Sequence, residues 1–375
     1  MAQDADLLGI CTDHCRVRQR RLLDIMQANQ IDMVVLSTIE HIQYFIGPKF
    51  AWTFQPAASI DADGKVTLVA PERRMPKEHA ADEVVPYEAQ WHSTLRNDQR
   101  RESTQILQRT VPGIQKAKHV GVEFSTFSRY FELSSSARLY DLEPDLFRLR
   151  RAKDADELAK IEKAISATGL MYERARQIIE PGVNELEVFN QLQSVAVQEF
   201  GEMLTGTGND YQCGSRGGAP RDRECQAGEL YILDLGPAFR GYFADNARTV
   251  AVTSVNDHQQ TAWDFIQKAF AHVESEVKPG KSCRKLFEEV QGILDECPVG
   301  VFNHHLGHGI GLFPHEGPHL NPNWDDQFQV GDVFTAEPGL YNSELNIGMR
   351  LENDYLVTED GVRNLTDFPL ELKLM

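Results

Sequence analysis

The sequence lacks several patterns that would place it outside the ordinary globular enzymes. No apolar stretch approaches the roughly 18 residues of a membrane span. The first 20 residues have no cationic start followed by an apolar stretch, as a secretory signal would. The six cysteines are widely spaced and match neither a zinc finger nor a disulfide-rich framework. We therefore expect a protein of the reducing cytoplasm with no membrane partner.

Basic residues are scarce relative to acidic ones. The chain has 38 Lys and Arg against 56 Asp and Glu, a formal net charge of −18. Because binding of phosphates requires clustered Lys and Arg, this balance argues against nucleic acid as a partner. The hydrophobic content of 41% and charged content of 25% are typical of a soluble globular protein. At 375 residues the chain exceeds one ordinary core, so we expect two domains.

Residues 1–150 have the alternating pattern of a compact α/β domain. A helix over 16–31 leads into a strand over 32–37, and further strand patterns lie at 59–71 and 118–124. This alternation predicts a mixed sheet flanked by helices. Four isolated histidines in this part are expected to have ordinary surface or core roles; they are His41, His79, His92 and His119.

The pattern changes in the second part, residues 151–375. Asp154 and Asp156 suit a helix N-terminus, and apolar residues then recur at alternating steps of three and four until Pro181 and Gly182. Three further helices and two groups of strands are expected, over 184–200, 261–277, 283–296, 229–253 and 329–358. This part is therefore α+β. The expected order is two helices, strands, two helices and strands. This order suggests an internal pseudo-repeat, although the sequence shows no detectable self-similarity.

Four acids and one histidine carry the chemistry. They are Asp234 in YILDLG, Asp245 in GYFADNART, His308 in HHLGHGIG, Glu337 in VFTAEPGLY and Glu352 in GMRLENDYLV. Burial of an unpaired acid in a strand is costly, so four acids in such runs need compensating cations. Two divalent ions would balance the four carboxylates, and the imidazole would add a nitrogen ligand. The set predicts a dinuclear metal site.

The acids are also paired around turns. The turn at 237–241 separates the two aspartates, and the turn at 340–345 separates the two glutamates. Two hairpins would bring each pair onto adjacent strands, facing one spot. A solvated strand position is the simpler interpretation of any one acid alone. That interpretation fails for the set, because both hairpins present the same arrangement.

In order and local frame, these five residues resemble the ligand set of the pita-bread metallohydrolases, a family that includes methionine aminopeptidase, aminopeptidase P, prolidase and the metal-free creatinase. The family order Asp, Asp, His, Glu, Glu is matched one for one. The two-domain layout resembles the proline-directed branch, with a creatinase-like N-terminal domain over 1–150 and a pita-bread catalytic domain over 151–375. The segment STIEHIQYFIG (37–47) is similar to the characteristic strand-to-turn segment of that N-terminal domain.

The resemblance implies roles for further residues. His304 and His315, four residues before and seven after His308, match histidines that border the substrate pocket and contact the substrate or the tetrahedral intermediate. Tyr341 also matches the family, and Arg350 resembles the arginine that braces the carboxylates of the site. Two other histidines of the same stretch match nothing, and structural roles are expected for them; they are His305 and His319.

The resemblance further implies a hydrolase that cleaves Xaa-Pro bonds in dipeptides or short peptides by metal-activated hydroxide, with Glu337 as general base. His315 would help to hold the developing oxyanion, and His304 would favour a small ring such as proline. Hard oxygen donors with one nitrogen favour Mn²⁺, Fe²⁺ or Co²⁺ and also admit Zn²⁺. A homodimer is implied as well, in which one N-terminal domain borders the active site of the other subunit.

One feature of the family peptidases is missing. Their loop before the first aspartate carries a histidine, whereas residues 206–220 contain none and Gly217 stands at that position. Arg216 and Cys213 lie in the same loop, but neither is a proton shuttle of the same kind. A non-peptidase hydrolase or lyase acting on a small amidine, amide or sulfonio compound therefore stays open. A catalytically dead binding module is disfavoured by the intact acids.

Overall fold

The computed structural model describes residues 7–126 and 136–372. The chain divides into two compact units, residues 1–150 and residues 151–375. Within the described residues, no helix is both long enough and apolar enough to cross a bilayer.

The first unit is built on a six-stranded mixed sheet in the order β4-β3-β2-β1-β7-β8. Its strands are β1 (Met33–Leu36), β2 (Ala57–Asp61), β3 (Val66–Pro71), β4 (Glu83–Tyr87), β7 (His119–Val122) and β8 (Arg138–Asp141), with a hairpin of β5 (Gln90–Trp91) and β6 (Thr94–Leu95). Its helices are α1 (Thr12–Ala28), α2 (Ile39–Ile46), α3 (Gln99–Thr110), α4 (Gly113–Lys116) and α5 (Glu143–Leu149), with a 3₁₀ turn at Glu72–Arg74. The central strand β1 is buried throughout; it runs antiparallel to β2 and parallel to β7.

The segment over 37–47 differs from the expected strand-to-turn form, because most of it is the helix α2, Ile39–Ile46. The first helical turn is anchored by Glu123, whose Oε2 accepts the backbone N–H groups of Ser37 (2.7 Å) and Thr38 (3.0 Å). Six consecutive residues of α2 are buried, so no polar face reveals the helical period. The sequence prediction was wrong here for that reason.

The described part of the second unit contains two helix pairs, two larger sheets and two short two-stranded hairpins. Its helices are α6 (Ala155–Ile178), α7 (Glu185–Phe200), α8 (Asp257–Glu276) and α9 (Cys283–Asp295), with a 3₁₀ turn at Ser343–Leu345. Its strands are β9 (Asp210–Cys213), β10 (Leu230–Leu235), β11 (Ala238–Phe239), β12 (Tyr242–Phe243), β13 (Asn246–Ala251), β14 (Gly307–Gly309), β15 (Glu316–Leu320), β16 (Val333–Ala336), β17 (Gly339–Leu340), β18 (Met349–Arg350), β19 (Asn353–Val357) and β20 (Val362–Asn364). The sheets have the orders β13-β10-β9 and β15-β14-β16-β19-β20. This arrangement confirms the predicted α+β class.

Side-chain caps fix where the helices of this unit begin. Asp154 and Glu157 form a capping box at the start of α6, and Asn184 accepts the N–H of Leu186 at the start of α7. Helix α8 begins four residues before the expected position 261, since Asn256 and Gln259 form a second capping box. The helix predictions were therefore correct in type and least accurate at their ends.

The order of elements repeats within the second unit. Each half has a helix pair and, later in the chain, two long strands separated by a short hairpin: β10 and β13 around β11–β12, and β16 and β19 around β17–β18. One strand (β9) precedes these in the first half and two (β14 and β15) in the second. The two halves are joined at their strands, where the N–H of Glu352 donates to the carbonyl of Ala247 at 2.9 Å. A buried apolar cluster that includes Phe270, Phe334 and Tyr355 lies behind the second sheet.

Candidate metal centre

One aspartate lies within strand β10 and the other directly precedes the neighbouring strand β13. Asp234 is the fifth residue of β10 and pairs with Ala247 of β13, two residues after Asp245. The short β11–β12 hairpin closes the connection between them. Both carboxylates are buried, with 6% and 4% of the residue exposed. The first predicted hairpin is therefore present and brings its two acids together.

The two glutamates occupy the equivalent places in the second half. Ala336 of β16 pairs with Asn353 of β19 in the antiparallel sense. Glu337 directly follows β16 and Glu352 directly precedes β19, so the two acids lie side by side at the same end of the pair. His308 lies in β14, whose neighbour Gly309 pairs with Phe334 of β16. All three side chains are buried. Of the five residues singled out in the sequence, two thus lie within strands (Asp234 and His308) and three lie directly beside a strand end (Asp245, Glu337 and Glu352).

These side chains surround one cavity of about 130 Å³. Its walls are formed by Asn209, Asp210, Asp234, Asp245, His304, His305, His308, His315, Glu337, Arg350 and Glu352. Several triplets of these groups place one donor atom each within 4.8 Å of one another, among them Asp234, Asp245 and Glu352. That spacing is compatible with shared coordination of a cation.

The acids of this cavity lack sufficient partners in the protein itself. Within the described residues, Asp234 Oδ1 and Glu352 Oε2 are buried and accept no hydrogen bond. Burial raises the pKa values of Asp234, Asp245 and Glu352, and mutual repulsion adds to the effect. Buried acids without partners are costly unless cations neutralise them. The donor set therefore fits divalent metal ions.

His308 presents one ring nitrogen to the carboxylates. Its Nδ1 lies 3.1 Å from the carbonyl of Gly309, and its Nε2 lies 3.8 Å from Asp245 Oδ2 and 3.5 Å from Glu337 Oε1. Burial lowers the pKa of His308 to about 4. The imidazole is therefore neutral at pH 7, as a metal ligand must be, and the backbone carbonyl fixes which nitrogen faces the cavity.

The two histidines expected to border the substrate pocket also reach the cavity. The ring of His315 stacks on His308, with centroids 3.7 Å apart and planes 15° apart. His304 Nδ1 lies 3.4 Å from Glu337 Oε2. Burial lowers the pKa values of both His304 and His315. Both therefore line the same cavity as the five central residues.

His305 was expected to be structural, and the structure places it in the wall of the cavity. Its Nε2 lies 2.6 Å from Glu337 Oε1, and its ring packs against His304 at 4.1 Å between centroids. Burial by itself would raise the pKa of Glu337, but the His305 hydrogen bond and the nearby histidines lower it to about 2. His319, in contrast, hydrogen-bonds Asp326 and stacks on Trp324, away from the cavity.

Arg350 connects several of the acids. It donates to Asp234 Oδ2 at 2.8 Å, to the hydroxyl of Tyr341 at 3.2 Å and to the carboxylate of Asp210. Asp210, paired with Asp234 across β9 and β10, was missed in the sequence. Asp354 was missed too: it is fully buried, and its Oδ2 accepts the N–H of Asp245 at 3.3 Å. Both acids could have been recognised by their nearness to a buried arginine or to a proposed metal ligand, but that nearness is visible only in the folded structure.

Gly217 lies directly against Asp210, one of the acids of the cavity wall. Its φ is +145°, and a Cβ built there would lie 2.3 Å from Asp210 Oδ2. The next residue, Gly218, donates its N–H to Asp210 Oδ1 at 2.5 Å. Backbone therefore covers Asp210 at this point, and a histidine at position 217 would displace that acid. That Gly217 stands in the place of the family histidine stays a prediction.

Comparison with known proteins shows which family the chain belongs to. Residues 159–359 match the model of metallopeptidase family M24, and residues 18–152 match the creatinase/prolidase N-terminal domain. The Xaa-Pro dipeptidase of Pyrococcus furiosus is 27% identical over 95% of this chain and 99% of its own length. An uncharacterised peptidase of Staphylococcus epidermidis is 31% identical over 66% of this chain and 72% of its own. The crystal structure of the prolidase from Pyrococcus horikoshii is 25% identical, with a TM-score of 0.79, and covers 95% of this chain and 99% of its own.

The fold and the donor set are those of a metal-dependent hydrolase with a creatinase-type N-terminal domain. The chain belongs to the metallopeptidase family M24. The predicted resemblance to the Xaa-Pro peptidase branch and the predicted pita-bread fold are thereby confirmed.

Proposed function

We propose that the protein is a dinuclear-metal-dependent peptidase that cleaves Xaa-Pro bonds in dipeptides or short peptides. The observation that carries the proposal is the convergence of four buried carboxylates and one neutral imidazole on a single cavity bordered by three more histidines. The relatives named as Xaa-Pro dipeptidase and prolidase support the choice of substrate. The proposed metal ligands are Asp234, Asp245, His308, Glu337 and Glu352.

Two divalent ions held by these five residues would neutralise the carboxylates, polarise a peptide carbonyl and make a water molecule acidic enough to attack it. The protein groups around the ions would transfer the proton and position the substrate. Glu337 is the carboxylate that can accept the proton of the attacking water. His315 can donate to the oxygen of the scissile carbonyl as negative charge develops there. His304, on the other side of Glu337, can border the prolyl ring.

Arg350 and Tyr341 have supporting roles in this proposal. Arg350 keeps Asp234 and Asp210 in place by donating to both, and its positive charge offsets one of the acids that the ions leave uncompensated. The hydroxyl of Tyr341 accepts from the same guanidinium. We expect a change at Arg350 to disturb metal binding as well as turnover.

The test is turnover by metal-reconstituted protein on a panel of Xaa-Pro dipeptides, longer Xaa-Pro peptides, creatine and sulfonio compounds. We expect Xaa-Pro peptides to be cleaved, Glu337→Gln to abolish cleavage and His319→Ala to leave it unchanged. If every Xaa-Pro peptide is inert while a small non-peptide compound turns over, the hydrolase or lyase alternative replaces the peptidase. If nothing on the panel turns over, the proposed substrate class is wrong.

Three finer features belong to the same proposal. Oxygen donors with one nitrogen favour Mn²⁺, Fe²⁺ or Co²⁺, although Zn²⁺ also suits the set. By its resemblance to the family, we expect the protein to be a homodimer. We place it in the cytoplasm because its cysteines fit a reducing compartment: all six are free.

A further inference from the structure

The loop over 310–315 carries His315 to the rim of the cavity. It connects β14, which contains His308, to β15, and Gly309 pairs with Glu316 where the loop begins and ends. His315 is exposed, although its ring stacks on that of the buried His308. In the part of the chain that the structure describes, the His315 ring forms no hydrogen bond. Ring contacts aside, the backbone of the loop therefore sets the position of this imidazole.

Glu316, the residue after His315, binds the loop from its buried side. Only 3% of its side chain is exposed, and its Oε1 accepts the N–H of Phe313 at 3.1 Å. The carbonyl of Phe313 accepts the N–H of Gly311 at 3.1 Å. The loop is therefore folded around the carboxylate of Glu316.

A buried lysine holds that carboxylate in turn. Lys153 Nζ lies 3.4 Å from Glu316 Oε2, with 1% of the lysine side chain exposed, and also donates to the carbonyl of Arg151 at 3.2 Å. The backbone of Lys153 is fixed as well, since its N–H donates to the carbonyl of Gly331 at 3.0 Å. The loop is thus anchored to a segment that lies 163 residues away in sequence.

The space between the loop and this ion pair is filled. A Cβ at Gly311 would lie 3.0 Å from both Glu316 Oε2 and Lys153 Cε. The carbonyl of Gly311 accepts the N–H of Phe243 at 2.9 Å, and Phe243 lies in the hairpin that leads to Asp245. Gly311 therefore contacts both the ion pair and the hairpin of the two aspartates, and a movement of the pair would move the loop.

We propose that Lys153 and Glu316 are positioning residues, which hold the loop over 310–315 so that His315 faces the scissile carbonyl. The inference rests on the proposed Xaa-Pro peptidase function and adds the groups that place one of its histidines. Neither side chain lines the cavity, so both act through His315. A buried ion pair adds little stability compared with well-packed apolar residues, and its value here lies in fixing a geometry.

The geometry matters because a donor stabilises the developing oxyanion only from a narrow range of positions. A displaced His315 would still leave the metal ligands and the rest of the cavity in place. Loss of an interaction made in the transition state lowers kcat, whereas loss of one made equally in the ground state raises KM. We therefore expect the ion pair to affect kcat and to leave KM and metal content nearly unchanged.

The test is Lys153→Met/Glu316→Leu, which removes both charges and leaves no lone buried ion. We expect kcat on an Xaa-Pro dipeptide to fall by roughly 100-fold, as misplacement of a catalytic group by about 1 Å can cause. Gly311→Ala, which keeps both charges and crowds them, should lower kcat less. The matched control is Lys281→Met/Glu289→Leu, another Lys–Glu pair of the same unit at 2.7 Å, which should leave kcat unchanged.

A double-mutant cycle separates positioning from support of the fold. In a His315→Ala background, Lys153→Met/Glu316→Leu should cause no further loss of kcat, because the group that it displaces is already absent. A further loss in that background would overturn the proposal. So would an unchanged kcat in the wild-type background, or a loss of bound metal that matches the loss of kcat.

If the wild-type protein cleaves no Xaa-Pro peptide, the proposed function fails separately, and the reactivity of His315 decides the inference. Metal-loaded protein is treated with diethyl pyrocarbonate, and modification of His315 is followed by mass spectrometry against the exposed His258. Faster modification of His315 alone in Lys153→Met/Glu316→Leu supports the positioning role, and an unchanged rate rejects it. Gly311→Ala decides in the same way if the double variant does not fold.

Discussion

His305 is the residue whose position most changes the view of the site. Its imidazole hydrogen-bonds one oxygen of Glu337, while His304 and Arg350 face the other. The orientation of this central carboxylate is therefore set by neighbours on both sides. A ligand that is oriented in advance binds metal more tightly and needs less rearrangement during turnover.

The first prediction follows from that contact. We expect His305→Ala to weaken metal binding or activity by about 10- to 100-fold, as loss of groups that orient metal ligands typically does. The measurement is a competition titration with a metal chelator, followed by turnover at saturating metal. His319→Ala is the matched control, because that histidine lies outside the cavity. Equal behaviour of the two variants would show that the contact with Glu337 has no influence on the metals.

At the scale of elements, the start of helix α2 depends on a residue from a distant strand. Glu123 directly follows β7 and accepts hydrogen bonds from the N–H groups of Ser37 and Thr38 and from His41 Nδ1 at 2.5 Å. Thr38, the N-cap residue, provides no side-chain cap of its own. The helix is therefore stabilised by a buried carboxylate that lies 85 residues away from Thr38 in sequence.

The second prediction concerns this carboxylate. Burial would raise the pKa of Glu123, but hydrogen bonds from His41, Ser37 and Thr38 lower it below the ordinary 4.5. Ionised Glu123 therefore adds stability above about pH 4.5, and this contribution is lost as pH falls through the lowered value. We expect Glu123→Gln to lower the free energy of unfolding by about 1–3 kcal/mol at pH 7, since one buried acceptor is replaced by a donor.

Urea unfolding at pH 7 and at stepwise lower pH measures this effect. The gap between wild type and Glu123→Gln should be widest at neutral pH and should narrow below about pH 4.5. Glu83→Gln, which breaks an exposed pair with Lys65, serves as the control and should leave the free energy of unfolding nearly unchanged. A gap that stays constant with pH would show that the charge of Glu123 is not what stabilises α2.

The elements that the sequence predicted well are those whose signal is local. Both acid-bearing hairpins could be found because a turn lies between two strand patterns, and each acid has its own short frame. Asp210 and Arg350 lie 140 residues apart, so no local pattern reveals their contact. Helix α2 was missed because a short apolar run buried on most sides has no period to read. His305 was missed because its neighbours His304 and His308 already matched known roles.

For the whole molecule, the formal net charge is −18 and several acids are buried. We therefore expect bound metal ions to increase the free energy of unfolding. A ligand that binds only the folded state adds about 2.7 kcal/mol at 100 times its Kd. We expect purified protein to hold close to two divalent ions per chain and to melt at a lower temperature after chelation.

Elemental analysis and thermal melts check this third prediction. Asp245→Ala and Glu337→Ala should each lose at least one ion and most of the metal-dependent rise in Tm. Asp360→Ala removes an exposed acid and should keep both ions. A protein that is metal-free as purified and cannot be reconstituted would contradict the dinuclear centre.

The repeated architecture of the second unit has a consequence for how the centre is completed. The aspartates belong to the first half of the repeat, and the histidine and glutamates belong to the second, with the Glu352–Ala247 hydrogen bond at the seam. Neither half alone holds a full donor set. Bound ions would therefore act as cross-links between the halves, much as a disulfide would in an oxidising compartment.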